Sequence, residues 1–149
     1  MDIQTIKAMF DACYQAKRIR DLLPTLPKGV TPSYIHYLDT IESLEQRGTQ
    51  VKVSDISDTL NLPRPGVTRT VKEMESKGYL YKRTSTKDGR ITYISITEAG
   101  KQLSEKYNKQ YFSLLAPFLE AIPEEDVHCT IQTIERFYRV MTERRISVE

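Results

Sequence analysis

Eight cationic side chains, Arg64, Arg69, Lys72, Lys77, Lys82, Arg83, Lys87 and Arg90, fall within residues 63–90, against only Glu73, Glu75 and Asp88. That segment is net +5 in a chain whose total is +2, so the remainder is net acidic. A basic face on a nearly neutral protein is suited to meeting a polyanion from one side. The chemistry open to these residues is non-covalent. An arginine fork fits two phosphate oxygens or the O6 and N7 acceptors of guanine, whereas a lysine meets phosphate as a point charge. No nucleophile, base and orienting group are recognisably assembled, and no glycine-rich phosphate loop appears, so an enzyme is not expected.

These residues must be held by "NLPRPGVTRTVKEMESKGYLYKR" and "TSTKDGRITYISITEAG". The first reads as a helix that Pro65 can open and Gly78 closes. Val67, Val71 and Met74 line one face of it. At about 100° per residue, Pro65, Arg69, Lys72 and Ser76 project from the opposite face, with Thr68 on the flank. The second reads as a hairpin, Leu80 to Thr84 and Arg90 to Ile96, with "KDG" at its tip. Ile94 and Ile96 alternate with Tyr93 and Ser95, the period of a half-buried strand.

Upstream, residues 2–23 read as a helix with Asp2 as N-cap and a stripe of Ile3, Ile6, Phe10 and Cys13. Pro24 and Pro27 end it. Thr31 and Pro32 open a second helix over residues 32–46, stopped by Gly48. Ser54 is the expected cap of a short third helix that turns Ile56, Leu60 and Leu62 inward. After the hairpin, Thr97 caps a fifth helix carrying Leu103, Tyr107, Tyr111, Leu114, Leu115 and Phe118, which Pro117 should kink or finish. Pro123 opens a sixth, with Val127, Ile131, Ile134, Phe137, Tyr138 and Met141 along it, and "RISVE" reads as a frayed end. The expected organisation is mainly α with a small β-hairpin: a central block, residues 31–97, and a helical region from residues 1–30 and 98–149.

The chain has 149 residues, 39% hydrophobic and 28% charged, a globular composition. No apolar run approaches a membrane span and no signal peptide is visible, so a cytoplasmic protein with reduced thiols is expected. Cys13 and Cys129 are too far apart in sequence to read as a disulfide framework; the simplest reading makes them small buried hydrophobes, the alternative a redox pair of sites. His36 and His128 lack any metal-ligand spacing, and no metal or cofactor is expected.

A short capped helix, a tight turn, a basic second helix and a β-hairpin describe a winged helix-turn-helix. The run "VSDISDTLNLPRPGVTRTVKEMESKGYLYKRTSTKDGRITYISITEAG" resembles the MarR family of bacterial transcription regulators, through "VSDISDTLNL", "VTRTVKEMESKGYL", the wing "DGR…ISIT" and "TEAGKQL". The resemblance implies a homodimer joined through its first and last helices and binding a pseudo-palindromic operator, usually as a repressor. It implies a recognition helix in the major groove and a wing-tip arginine in the minor groove. It also implies release of DNA on binding a small aromatic or lipophilic effector, or on cysteine oxidation. One departure stands out: where the family often places serine or threonine at the start of the recognition helix, this chain has Pro63, Pro65 and Gly66, which removes two hydroxyl contacts.

In that frame Arg64, Pro65, Thr68, Arg69, Lys72, Lys87 and Arg90 are the candidate DNA contacts, and Asp88 the support that aims Arg90. The plainer alternatives are solvated helix charges for Arg69 and Lys72, and a hairpin-tip ion pair for Asp88 and Arg90. Tyr14, Arg18, Tyr34, His36, Tyr37, Tyr107 and Tyr111 are candidates for an effector pocket, with core or dimer packing as the other reading of the tyrosines. Alternative functions are a winged-helix protein-interaction module and a ligand-independent architectural DNA-binding protein.

Overall fold

The computed structural model describes residues 1–148; Glu149, the last residue of "RISVE", lies outside the described residues. The element order is α1 (Ile3–Asp21), α2 (Pro32–Gln46), α3 (Val53–Leu60), α4 (Arg64–Ser76), β1 (Leu80–Thr84), β2 (Thr92–Ile96), α5 (Glu98–Ser104), a π-helical stretch (Glu105–Gln110), α6 (Tyr111–Leu115), a 3₁₀ turn (Ala116–Leu119) and α7 (Glu124–Glu143). The chain divides into two compact units, Met1–Asn108 and a second from Lys109 onward. Among the described residues, no helix is long and apolar enough to cross a membrane.

The helix boundaries follow local chemistry. Asp2 accepts a hydrogen bond from the Thr5 N–H at 2.7 Å and so caps α1. Thr31 stands at the N-cap of α2 with Pro32 behind it, although its hydroxyl makes no capping bond. Gly48 and Gly78, at φ +83° and +81°, take the left-handed conformation that ends α2 and α4. Thr97 caps α5, accepting from the Gly100 N–H at 3.1 Å. In α3 the cap differs from the expectation. Lys52 occupies the N-cap and Ser54 lies inside the helix, because Asp55 reaches back to accept the Lys52 N–H at 2.8 Å.

The first unit has one core. Tyr34, Leu38 and Ile41 of α2, Ile56 of α3, Val67, Val71 and Met74 of α4, Leu80, Ile94 and Ile96 of the hairpin and Leu103 of α5 are buried together. Leu62 does not join them; it is 43% exposed in the α3–α4 turn. That turn is tied elsewhere. Asn61 adopts φ 51°, the Leu62 N–H reaches the Ser57 carbonyl at 3.1 Å, and the Ser57 hydroxyl bonds the Leu62 carbonyl. The hairpin pairs antiparallel, Leu80 with Ile96 through Thr84 with Thr92. It is joined to the body by the Ile94 N–H on the Val51 carbonyl at 2.8 Å. The second strand starts at Thr92 rather than Arg90, because the Ile91 N–H turns back to the Asp88 carbonyl and closes the tip.

Gly100 is where packing is tightest. A Cβ there would stand 2.3 Å from the Tyr79 carbonyl oxygen and 2.6 Å from Ile96 Cγ2. Gly100→Ala should therefore destabilise the fold by about 1–3 kcal/mol, an overpacking cost. Chemical denaturation would read this as a lower midpoint with an unchanged slope.

The fifth helix is not continuous. It passes from α-helical to π-helical geometry at Glu105, and Pro117 ends it inside a 3₁₀ turn. Asn108 donates to the Ile35 carbonyl and to the Ser104 hydroxyl, each at 3.0 Å, pinning the π-helical stretch to α2. Beyond it, α7 buries none of its residues within the chain. Val127, Ile131, Ile134, Tyr138 and Met141 are between 42% and 67% exposed, along one face at helical spacing. In α1, Ile3, Ile6 and Phe10 are likewise exposed. Cys13 and Cys129 are both exposed in the single chain, contrary to the simplest reading of them as buried hydrophobes: they sit on α1 and α7, which the core does not cover.

Candidate nucleic-acid interface

The apolar stripe Val67, Val71 and Met74 orients α4. With all three fully buried, the helix must turn its other face to solvent, and Pro65, Thr68, Arg69 and Lys72 are exposed there. Arg64 is exposed at the first helical position. Among the described residues the side chains of Arg64, Arg69, Lys72 and Lys87 make no ion pair and no hydrogen bond, so their donors are free for an external anion. The other basic residues of the segment are engaged. Lys82 pairs with Glu75 of α4 at 3.1 Å. Arg83 stacks on Tyr93 at 5.6 Å and donates to the Ser95 hydroxyl at 3.4 Å. Lys77 donates to the Gly29 carbonyl. The local charge excess thus overstates the cations free for a ligand. Lys82 and Arg83 both act within the protein: Lys82 ties the hairpin to α4 through Glu75, and Arg83 ties β1 to β2 through Tyr93 and Ser95, roles that residue type alone does not reveal.

At the hairpin tip, Asp88 holds Arg90 in three places. The Arg90 N–H donates to Asp88 Oδ1 at 3.0 Å, Nε to Oδ1 at 3.2 Å and Nη2 to Oδ2 at 3.4 Å. Ser85 accepts from the backbone N–H groups of Lys87 and Asp88, shaping the approach. Arg90 itself is 91% exposed at its side chain. The backbone bond from Arg90, followed by its side-chain bond, holds the Asp88 carboxyl below its ordinary value. A carboxylate lowered on folding contributes above its unfolded pKa and loses that contribution as pH falls through the folded one. The clamp is therefore closed at neutral pH and opens only in acid.

The residues singled out for an effector separate into three sets. Tyr34 and Tyr37 are buried in the core, 2% and 4% exposed, and Tyr107 packs partly buried against the same cluster. Tyr14 and His36 are exposed, and so is Arg18, whose Nη1 meets Gln15 at 3.4 Å within α1. Tyr111, in the second unit, stands edge-on to Phe112 at 5.2 Å.

The MarR family model matches residues 28–91, the span from the α1–α2 connector through α2, α3, α4 and the hairpin tip. Among curated proteins, the chain is 26% identical over 108 residues to an uncharacterised HTH-type transcriptional regulator, YdgJ, of Bacillus subtilis. That alignment covers 72% of this chain and 63% of the relative. It is 28% identical over 108 residues to the HTH-type transcriptional repressor MdtR of the same organism, covering 72% and 67% of the two chains. The chain thus spans a little under two thirds of the length of YdgJ. Among solved structures, FabT of Streptococcus pneumoniae in complex with DNA superposes with a TM-score of 0.67 at 18% identity, covering 95% of this chain and 99% of that one. A MarR/EmrR family regulator from Acinetobacter sp. ADP1 also gives 0.67, at 20% identity over 97% and 100% of the two chains. The capped α3, the left-handed turn at Asn61, the outward basic face of α4 and the paired hairpin form a winged helix-turn-helix, and the part of the chain that builds it, residues 28–91, is similar to the MarR family of transcription regulators.

Proposed function

We propose that the protein is a homodimeric, sequence-specific DNA-binding transcription regulator, acting as a repressor that leaves a pseudo-palindromic operator when a small aromatic or lipophilic effector binds. The observation that supports this most strongly is the pairing of two cationic surfaces. The outward face of α4 carries Arg64, Arg69 and Lys72, which have no ion pair or side-chain hydrogen bond among the described residues, and the hairpin tip presents Arg90 gripped by Asp88. A helix of this kind fits the major groove, where Arg69 can fork a guanine and Lys72 meets phosphate. Arg90 is placed to enter an adjacent minor groove, whose negative potential rises as it narrows. The repressor MdtR and the DNA complex of FabT are consistent with the same role.

The apolar face that α1 leaves exposed, and separately that of α7, support a second copy as the partner that covers them. Exposed apolar faces mark interaction surfaces, and a self-complementary one generates a two-fold dimer. An effector would lower DNA affinity by changing the separation of the two recognition helices, which must stand about one DNA turn apart. Its effect is bounded by its differential affinity for the two arrangements.

Selection of bound duplexes from a random DNA pool, repeated with salicylate-like aromatics, tests the reading. Recovery of a palindromic consensus is expected, with enrichment lost when the effector is present. Enrichment of no sequence counts against specific reading, and an unchanged consensus with aromatics removes that ligand class. Lys87→Ala should lower the slope of log affinity against log salt by about one unit and leave sequence preference intact, as expected of a phosphate contact. Fluorescence anisotropy across a salt series measures it.

A further inference from the structure

We infer that Tyr34, Glu73 and Lys77 are positioning residues for DNA reading: together they lock the far end of α4 to the α1–α2 connector and so fix the angle at which α4 presents Arg69. The inference rests on the DNA-reading role proposed for α4. The Tyr34 ring is 2% exposed in the core, yet its hydroxyl reaches out to donate to Glu73 Oε2 at 3.1 Å. Lys77, one turn further along α4, places its Nζ 5.0 Å from the centre of the same ring and donates to the Gly29 carbonyl. Gly29 has φ +80°, which turns the connector so that its carbonyl faces the lysine. A single buried tyrosine is thereby bonded at its tip and covered on its face by two residues of one helical turn, with the connector as the third party.

None of these groups belongs to the outward face that carries Arg69 and Lys72. Glu73 and Lys77 lie on the flank of α4, between that face and the buried stripe. A buried tyrosine needs a partner for its hydroxyl wherever it sits, so one bond alone would say little. Here the contacts converge. The same end of α4 is also held by the start of α5, since the Thr97 hydroxyl bonds the Gly78 carbonyl and the Thr97 N–H reaches the Tyr79 carbonyl at 3.1 Å. The far end of α4 is therefore clamped, while its first turn, with Pro63 at the N-cap, makes no side-chain capping bond. With 13 residues, α4 is roughly 20 Å long at about 1.5 Å per residue. A tilt of about 5° at the clamped end moves the opposite end by nearly 2 Å over that length, more than the roughly 0.5 Å that a positioned binding group tolerates.

Tyr34→Phe tests this without changing charge or the filling of the core. Binding is measured to the duplex most enriched from a random pool and to a random duplex of equal length. Affinity for the selected duplex should fall about 3- to 30-fold, the range for residues that act through others. Affinity for the random duplex and the salt slope should stay as in wild type. Lys77→Met should lower the ratio of the two affinities likewise, and Lys77→Arg should restore it, since a guanidinium can both cover the ring and donate to the Gly29 carbonyl. Amide exchange at Val30 should quicken in Lys77→Met, reporting release of the connector independently of DNA. An unchanged ratio in both Tyr34→Phe and Lys77→Met, with Arg69→Ala lowering it, overturns the inference and leaves the DNA-reading role of α4 standing. An unchanged ratio in all three overturns both. An equal loss on both duplexes, accompanied by a lower melting temperature, assigns these residues to stability alone and also overturns the inference.

Discussion

Ile134→Glu should convert the proposed dimer to monomers, or drive the protein to aggregate. Ile134 is 42% exposed at the middle of the α7 face that also carries Val127, Ile131, Tyr138 and Met141. Within the chain that face has no buried residue, so the substitution leaves the core of Tyr34, Leu38, Val67 and Ile94 untouched. In a two-fold assembly the change enters twice, and each carboxylate would be buried without a partner. Breaking a buried charge balance costs about 3–5 kcal/mol per site, enough to dissociate most dimers at micromolar concentration. Sedimentation velocity would show the loss directly. The monomer should also lose operator affinity, because one recognition helix reaches only one half-site. A wild-type protein that sediments as a stable monomer at micromolar concentration would overturn the dimer.

Arg90→Ala should weaken binding to every duplex tested and flatten any preference for A·T-rich flanks. The minor groove offers a degenerate pattern read largely through its width, so removing a side chain proposed to enter it should erase little base-specific information. The expected loss is about tenfold or more, or ~1.4 kcal/mol. The variant also leaves the Asp88 carboxylate without the two side-chain bonds it now makes, facing phosphate with its negative charge exposed. Folding should be unaffected, since Arg90 is 91% exposed at its side chain and lies in the hairpin tip before the start of β2. Competition anisotropy with A·T-rich and G·C-rich flanks measures both parts. Operator affinity equal to wild type at physiological salt would show that the hairpin is only a turn.

Much of this architecture was legible in the sequence because it is set by local rules. Thr31 before Pro32, Gly48, Gly78 and Thr97 mark helix ends through backbone geometry, and each lies where it was expected. The α4 stripe and the first strand of the hairpin depended on spacing alone. The misreadings came from competition between neighbours or from distant partners. Asp55 captured the Lys52 N–H and moved the start of α3 ahead of Ser54. The run "EKYNKQ" contains no glycine or proline to announce a change of helical pitch; its anchor is Ile35, 73 residues away from Asn108. Ser95 was expected on the solvent side of its strand, yet it is buried at 8%, where Arg83 bonds its hydroxyl. In the candidate site the side-chain identities were legible but their engagement was not. Lys77, Lys82 and Arg83 count toward the basic charge of residues 63–90, whereas each has a partner within the fold.

The central claim is that α4 and the hairpin read two different grooves of one duplex. Methylation interference on the selected operator addresses it most directly, because guanine N7 is exposed in the major groove and adenine N3 in the minor. The account predicts interference at guanine N7 in two half-sites about one helical turn apart, and at adenine N3 in the flanks. Arg69→Ala should abolish only the former and Arg90→Ala only the latter. Interference confined to one groove, or a pattern that neither substitution changes, would contradict it.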